Sequence, residues 1–306
     1  MQGRYSTPRL RERPPSRQPP RDSWWARAGT ERTAYADPMG DAEFHRDGEL
    51  VTVVLDGQEQ SAVHLGDPTR LDFEYVERIA LALDVLAPPG PLRVTHVGGA
   101  GLTLPRWLQH TRPGSPQIVL EPDVALTEAV RRELPLPRGH RIRVRATDGE
   151  TGVAALKDAS ADAIVLDAYA GGRVPADLTS VEWFGEVARV LVPGGLLLAN
   201  LADEPGWRWL ARAGAGAQAA LGHTAYIGLH EVLKGRRFGN VVLVASTAPI
   251  DLYDLRRAVA RLALPTGVLT AEEVARRAPG AQPFSRAIGD LAASPPPPDR
   301  GSWRRR

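Results

Sequence analysis

Short apolar runs alternate with amphipathic stretches from Leu92 to about residue 200. The runs have the length of buried strands, and the stretches between them carry apolar residues at helical spacing. The predicted strands are Arg93–Val97, Gln117–Leu120, Ile142–Ala146, Ala163–Leu166 and Leu196–Asn200. Strands that alternate with helices form parallel sheets covered by helices. The pattern therefore predicts an α/β fold with a doubly wound, mostly parallel sheet.

Helices are expected between these strands, and further elements of both kinds are expected after them. Pro193-Gly194-Gly195 predicts a tight turn that leads into the fifth strand. The expected helices are Leu104–His110, Val124–Leu134, Thr151–Leu156, Ser180–Leu191, Trp207–Ala220, 251–263 and 271–278, and the expected late strands are Tyr226–Leu229, Glu231–Leu233 and Asn240–Ala245.

The region before Leu92 has a different pattern. Alternating apolar residues predict two short strands, Glu49–Asp56 and Gln60–Leu65, joined by a turn at Asp56-Gly57. A helix is expected to start at Asp67-Pro68-Thr69, with Asp67 or Thr69 as its cap, and to end at Pro88-Pro89-Gly90. These elements predict a small N-terminal β-hairpin lobe.

Composition narrows the class of protein. The 306 residues include 38 basic and 36 acidic side chains, and this near balance does not indicate a nucleic-acid partner. The chain has no cysteine, and its histidines lack the spacing of metal ligands, so no metal site is expected. No apolar run approaches the roughly 20 residues of a membrane helix. We therefore expect a cytoplasmic protein without a membrane partner.

A glycine turn follows the first strand of the alternating pattern. Gly98, Gly99 and Gly101 stand between Val97 and the next predicted helix. Glycines at such a turn let the backbone approach a ligand, and the helix presents its N-terminal N–H groups. Glu121 ends the second strand, where a carboxylate can bind the two hydroxyls of a ribose. This unit predicts a nucleoside site.

Two further carboxylates end later strands of the predicted sheet. Asp148 follows the third strand, and Asp167 follows the fourth. Ligands of open parallel sheets bind at the carboxyl ends of the strands, so Glu121, Asp148 and Asp167 are expected to share one hollow. Each acid alone could instead cap the helix that follows its strand.

These patterns divide the chain into five segments. Residues 1–42 are rich in arginine and proline and have few apolar side chains to bury, so they are expected to be disordered, as is the tail at residues 294–306. Between the tails we expect a β-hairpin and helix lobe at 43–90, a Rossmann-like nucleoside-binding domain at 91–250 and C-terminal helices at 251–293.

Several motifs within roughly residues 48–247 occur together in a known family. Those of the main domain are the glycine turn, Val119-Leu120-Glu121-Pro122-Asp123, Asp148-Gly149, Ile164-Val165-Leu166-Asp167 and Leu191-Val192-Pro193-Gly194-Gly195. They resemble class I S-adenosylmethionine-dependent transferases. More specific segments resemble the spermidine synthase (polyamine aminopropyltransferase) family, namely Leu55-Asp56-Gly57-Gln58-Glu59-Gln60, Phe73-Glu74-Tyr75-Val76-Glu77 and Leu178-Thr179-Ser180-Val181-Glu182-Trp183-Phe184.

The resemblance implies a Rossmann-like class I methyltransferase fold and a transferase activity. The co-substrate would be S-adenosylmethionine or its decarboxylated form, and the acceptor would be a small-molecule amine. The family allows a homodimer. The resemblance implies that the co-substrate is bound by Gly98, Gly99, Gly101, Glu121, Asp148 and Gly149. Within this set, Glu121 would bind the ribose and Asp148 would face the adenine amino group. The substrate side would be lined by Gln60, Tyr75 and Tyr169, and Asp167 would be the general base.

Two positions depart from the family's pattern. Gly101 stands where the family has an aspartate for the aminopropyl amine, and Ala170 stands where it has a second aspartate for the diamine. Three functions therefore stay open: aminopropyl transfer, methyl transfer from S-adenosylmethionine to a small molecule, and binding of a nucleoside without catalysis. Gly101 favours the second, because it lacks an acid that would repel the carboxylate of S-adenosylmethionine.

Overall fold

The computed structural model describes residues 32–35, 42–55 and 57–298. Within these ranges the chain forms a small antiparallel sheet and a large mixed sheet that is covered by helices. Most of the N-terminal tail, the last eight residues and Asp56 of the expected hairpin turn lie outside the described residues.

The small sheet contains the expected hairpin and two strands before it. Its strands, in the order β1-β2-β3-β4, are β1 (Arg32–Tyr35), β2 (Ala42–Asp47), β3 (Leu50–Leu55) and β4 (Gln58–His64). Every pair in it is antiparallel. The expectation of disorder up to residue 42 is wrong for Arg32–Tyr35. This strand pairs with β2 through its backbone, and backbone pairing does not depend on the composition from which disorder was inferred.

The large sheet has five parallel strands and an antiparallel edge. The parallel strands, in the order β9-β8-β5-β6-β7, are β5 (Val94–Val97), β6 (Gln117–Leu120), β7 (Ile142–Arg145), β8 (Ala161–Leu166) and β9 (Leu191–Asp203). The antiparallel strands, in the order β12-β10-β11 beside β9, are β10 (His223–Leu229), β11 (Gly239–Ser246) and β12 (Thr266–Thr270). The predicted fold class is confirmed.

Nine α-helices connect or follow these strands within the described ranges. They are α1 (Glu74–Leu86), α2 (Thr103–Thr111), α3 (Val124–Glu133), α4 (Gly149–Ala154), α5 (Val181–Val190), α6 (Arg208–Leu221), α7 (His230–Leu233), α8 (Leu252–Val259) and α9 (Ala271–Arg277). None of the helices in the described ranges has the length and apolar character that a membrane crossing requires.

Alternate residues of the central strands face two different cores. Ile164 and Leu166 of β8 belong to a buried cluster that includes residues of α5 and α6. Ala163 and Val165 of the same strand belong to a second cluster that includes residues of α1, α2 and α8. Because successive side chains of a strand point to opposite faces, this division places helices on both sides of the sheet.

The strand order changes direction between β5 and β8. From β5 the chain adds β6 and β7 on one side, and it then returns to place β8 and β9 on the other side. In open α/β sheets the crevice at such a reversal is where ligands bind, beyond the carboxyl ends of the two strands. Gly98 follows β5 and Asp167 follows β8, so both stand at this reversal.

Three predicted elements differ from the structure. Helix α1 begins at Glu74 and not at Asp67, because the Asp67 carboxylate accepts the Thr69 N–H at 3.0 Å and closes a local turn. Residues Glu231–Leu233 belong to helix α7 and not to a strand. Strand β9 starts at Leu191, so the predicted turn at Pro193-Gly194-Gly195 lies inside the strand. The pairing of β9 with β8 shifts register at this point.

The C-terminal strap, residues 281–298, packs against the domain after the last helix. Disorder was expected from Ser294 onward, and this expectation is wrong for residues 294–298. Ser294 is completely buried, its Oγ accepts the Val174 N–H at 2.8 Å, and its own N–H donates to the Val174 carbonyl at 3.1 Å. A proline-rich composition does not reveal such pairing with a segment far away in the sequence.

Candidate active site

The ends of four parallel strands line one cleft of about 440 Å³, the large cleft. The turn after β5 contributes Gly98 and Gly99, and the end of β6 contributes Glu121. Asp148 follows β7 and Asp167 follows β8. The three acids that were expected to share one hollow therefore do so.

Gly98 brings the turn after β5 into direct contact with the backbone of Asp167. Its φ is +91°, and a Cβ at this position would lie 2.2 Å from the Asp167 carbonyl oxygen. Only glycine combines this φ with such a close approach. The glycine is therefore what allows the ends of β5 and β8 to meet at the floor of the cleft.

The Glu121 carboxylate holds the glycine turn from the neighbouring strand. Oε2 accepts the N–H groups of Gly99 at 3.0 Å and Ala100 at 3.4 Å, and Oε1 accepts the Asp123 N–H at 3.1 Å. Burial raises the pKa of Glu121, and these backbone hydrogen bonds oppose that shift. The side chain also lines the large cleft.

Asp148 and Gly149 begin helix α4 at another wall of the large cleft. Asp148 Oδ1 accepts the Thr151 N–H at 2.8 Å, which lowers the pKa of this carboxyl. The capping role that the sequence left open is thus present. The same side chain also lines the cleft, so capping and ligand contact are compatible here.

Asp167 is the most perturbed acid of the large cleft. Burial raises its pKa to about 6, although hydrogen bonds from Asn200 and Tyr75 favour the charged form and oppose the shift. The Asn200 Nδ2 donates to Asp167 Oδ1 at 2.9 Å. A carboxylate with such a pKa can take up a proton near neutral pH, which an ordinary surface aspartate does poorly.

Two further cavities adjoin the large cleft. The small cavity, of about 60 Å³, lies behind the glycine turn, and the outer cavity, of about 330 Å³, lies on the side of β9 and α1. Gln60 and Tyr169 line all three spaces, and Tyr75 lines the small and outer cavities. The Tyr169 hydroxyl donates to the Asn200 carbonyl at 3.2 Å. The three predicted substrate-side residues therefore stand where the cavities meet.

The charges around the large cleft are strongly one-sided. Its described lining has six acids and no lysine, arginine or histidine, in a chain with 38 lysines and arginines. The acids are Glu121, Asp123, Asp148, Glu150, Asp167 and Asp177. At the lip, Arg286 of the C-terminal strap pairs with Glu150 and lies 3.6 Å from Asp177. The interior suits a cationic ligand better than an anionic one.

Comparisons with known proteins indicate the family. No family model matches the chain. A curated polyamine aminopropyltransferase from Vibrio vulnificus is 30% identical over 148 residues, which are 47% of this chain and 49% of that protein. One from Chromobacterium violaceum is 24% identical over 166 residues, 54% of this chain and 62% of that protein. The chain thus spans about half the length of the curated relatives it matches.

A solved structure is similar over a much larger part of the chain. The crystal structure of a probable spermidine synthase from Corynebacterium glutamicum has a TM-score of 0.76 and 29% identity, and the match covers 83% of this chain and 95% of that chain. The comparisons support the resemblance to spermidine synthases that the sequence motifs indicate. The small antiparallel sheet and the mostly parallel large sheet agree with the fold that this resemblance implies.

Gly101 is the predicted co-substrate residue that does not line the large cleft. A Cβ at Gly101 would lie 2.9 Å from the Cβ of Ser61 and 3.2 Å from Val53 Cγ2, so the residue faces the small sheet. Its expected direct role in binding the co-substrate is not supported by this placement. The contact also leaves no room for an acid at position 101 without a movement of the small sheet.

Asn200 is the site residue that sequence reasoning missed in this spermidine synthase-like protein. It stands in β9, donates to Asp167 and lines the outer cavity. Asp203 ends the same strand, but it is buried and accepts the Leu210 N–H at 2.8 Å, at the start of α6. The feature that could have identified Asn200 as a site residue is its position near the carboxyl end of a parallel strand, which lies beside β8.

Proposed function

We propose that the protein transfers an aminopropyl group from an adenosyl sulfonium, decarboxylated S-adenosylmethionine, to a small amine, with Asp167 as general base. The observation that carries the proposal is the large cleft with its acidic lining, in which the Asp167 pKa is raised to about 6 beside a second, outer cavity. The named curated relatives are polyamine aminopropyltransferases, and their names support the same reaction.

The large cleft fits an adenosyl compound. Glu121 would accept the ribose hydroxyls, Asp148 with Gly149 would face the adenine, and the backbone at Gly98 and Gly99 would allow close approach. The bound co-substrate would supply an electrophilic carbon next to a positively charged sulfur. Acidic walls without a basic side chain favour that positive charge, and they disfavour the additional carboxylate of S-adenosylmethionine.

The outer cavity fits an amine. Glu74 lies on its wall, and Asn200 connects it to Asp167. An ammonium group is not a nucleophile, so one proton must leave before the nitrogen can attack. Asp167 would take this proton first, and the neutral amine would then form the new C–N bond as the C–S bond breaks, with the bonding electron pair left on sulfur in methylthioadenosine. Tyr75 and Asn200 would hold the carboxylate in place through their hydrogen bonds.

A product assay tests the proposal. The full chain is incubated with decarboxylated S-adenosylmethionine and a panel of small amines, and released methylthioadenosine is measured. We expect release with at least one amine and tighter calorimetric binding of the decarboxylated co-substrate than of S-adenosylmethionine. If no amine gives release above background although the co-substrate binds, the protein binds nucleosides without this catalysis.

Methyl transfer from S-adenosylmethionine is the second candidate function, and one observation favours it. Ser61 closes the space at Gly101, so no acid at that position can pair with an aminopropyl amine or repel a carboxylate. Methyl transfer predicts tighter binding of S-adenosylmethionine and release of S-adenosylhomocysteine in the presence of a small acceptor. Both measurements use the same samples as the product assay, so the two functions are directly compared.

At acidic pH, the dependence of kcat/KM on pH should follow the ionisation of the Asp167 carboxyl group. A general base works only when it is deprotonated, so kcat/KM should fall about tenfold per pH unit below pH 6. Because the Asn200 hydrogen bond lowers the Asp167 pKa, Asn200→Leu should raise that pKa and move the fall in kcat/KM to higher pH. The part of the pH profile that is due to protonation of the free amine should be the same in the unmodified chain and in Asn200→Leu. A fall in kcat/KM that stays at the same pH in Asn200→Leu would contradict the assignment.

A further inference from the structure

The C-terminal strap is anchored to the domain over its first part, residues 281–292. The Phe284 carbonyl accepts the Val181 N–H at 2.8 Å, and the Ser285 Oγ donates to Glu182 Oε1 at 2.6 Å. Further along, the Trp209 Nε1 donates to the Ala292 carbonyl at 2.8 Å. These partners belong to helices α5 and α6, so this part of the strap is attached to the helices that cover one face of the large sheet.

The distal part of the strap, residues 293–298, pairs with the loop that follows Asp167. Val174 and Ser294 exchange two hydrogen bonds, and neither residue has exposed surface. Arg173 adds two more, because its Nη2 donates to the Ala293 carbonyl at 3.3 Å and its Nε donates to the Ser294 carbonyl. The second half of the loop at residues 168–175 is therefore held by the strap.

The first half of the same loop lines the site. Tyr169 lines all three cavities and donates its hydroxyl to the carbonyl of Asn200, whose side chain in turn donates to Asp167. A continuous set of contacts therefore runs from Ser294 through the loop to the proposed base. Holding the loop before substrate arrives reduces the entropy lost on binding.

The strap also forms part of the outer cavity. Pro297 lines this cavity, and a Cβ at Gly172 would lie 3.1 Å from Pro297 Cγ and 3.3 Å from Gln58 Oε1. The end of the strap, the loop and the hairpin between β3 and β4 thus meet at one rim. Removing the Pro297 ring would enlarge the cavity without touching Asp167.

We propose that the distal strap is a specificity element for the acceptor: Ser294 holds the loop that carries Tyr169, and Pro297 is the wall that limits the size of the amine. The proposal rests on the transferase function proposed above. In this proposal the C-terminal strap determines which amines are accepted, and the large cleft binds the adenosyl compound.

Proteolysis of the full chain tests the positioning role of Ser294 without any turnover. Trypsin cuts after Arg173 only when the loop opens, and the cleavage rate follows the open population. Ser294→Ala leaves the buried Val174 N–H without its acceptor, so cleavage at Arg173 should be about tenfold faster than in the unmodified chain. The matched control is Ser285→Ala, in the anchored part, which should leave cleavage at Arg173 unchanged. Equal cleavage in all three proteins would overturn the positioning role.

Acceptor selection in the full chain tests the wall formed by Pro297. Pro297→Gly should raise kcat/KM for a branched or bulkier amine by about tenfold relative to a short unbranched amine, as expected for removal of a few methylene contacts. Pro296→Gly is the matched control, because this neighbouring proline does not line the outer cavity. The dissociation constant of methylthioadenosine should stay the same in both variants. Identical amine preference in the two variants would overturn the proposal.

The two levels of proposal fail in different ways. If the unmodified chain transfers no aminopropyl group to any amine, the proposed function fails, while the trypsin comparison still tests the attachment of the loop. If transfer occurs but neither strap variant changes loop cleavage or amine preference, the strap proposal fails and the transferase function stands. Thermal unfolding of each variant, compared with the unmodified chain, separates local opening from loss of the whole fold.

Discussion

Asp167→Asn is expected to slow aminopropyl transfer by about 10²–10⁴-fold, the usual contribution of a positioned general base. The amide cannot take up the proton of the attacking amine, yet its oxygen can still accept the Asn200 hydrogen bond. Binding of methylthioadenosine should therefore change little. Single-turnover rates and calorimetric affinities, measured on the same preparations, check the two parts of this expectation.

Stability should move in the direction opposite to activity in this variant. Burial raises the Asp167 pKa from its usual value of 3.8 to about 6, so the folded state loses stability as the pH rises between these two values, and this cost is fully present above about pH 6. Asp167→Asn removes this cost, and its melting temperature at pH 8 should equal or exceed that of the unmodified chain. Asp203, whose pKa burial also raises to about 6, offers the control: Asp203→Asn should affect unfolding more than turnover. Comparable turnover in the two variants would argue against Asp167 as the base.

Glu121→Gln should weaken the binding of adenosine-containing ligands by about 10- to 100-fold. Hydrogen bonds to charged groups contribute roughly 1.5–3 kcal/mol, and about 1.4 kcal/mol corresponds to a factor of ten in affinity. The change keeps the size of the side chain but removes the negative charge that we propose to face the ribose hydroxyls. Calorimetric titration with methylthioadenosine measures the loss.

A double-mutant cycle assigns this loss to the ribose. Methylthioadenosine and its 2′-deoxy analogue are titrated against the unmodified chain and against Glu121→Gln. If Glu121 binds the ribose hydroxyls, the preference for the hydroxylated ligand should largely disappear in the variant. The exposed Glu128 on α3 provides a control with the same chemical change, and Glu128→Gln should bind both ligands as the unmodified chain does. An undiminished preference in Glu121→Gln would place the ribose elsewhere.

The residues at the ends of the parallel strands could be predicted because the signals are local. Strand β6 has the predicted bounds, Gln117–Leu120, and Glu121 follows it directly. A buried run followed by a glycine or an acid occupies only a few residues, and the parallel order of the strands then brings their ends together. Gly98, Glu121, Asp148 and Asp167 meet in the large cleft for this reason.

The parts that sequence reasoning missed depend on contacts between distant segments. Ser294 stands among prolines, and its burial comes from pairing with Val174, which composition does not show. Asn200 stands between apolar neighbours in β9, and its contact with Asp167 appears only when β8 lies beside this strand. The placement of Gly101 likewise depends on how the small sheet packs on the turn, and that packing follows from tertiary structure alone.

The packing of Ser61 against Gly101 restricts the order in which this lineage can change. An acid introduced at position 101 would clash with the Ser61 side chain, whose Cβ lies 2.9 Å from the place of the new one. An aspartate there therefore requires the hairpin to shift or to carry a compensating change. Such epistasis makes the present glycine hard to reverse, and it predicts that positions 61 and 101 covary among related sequences.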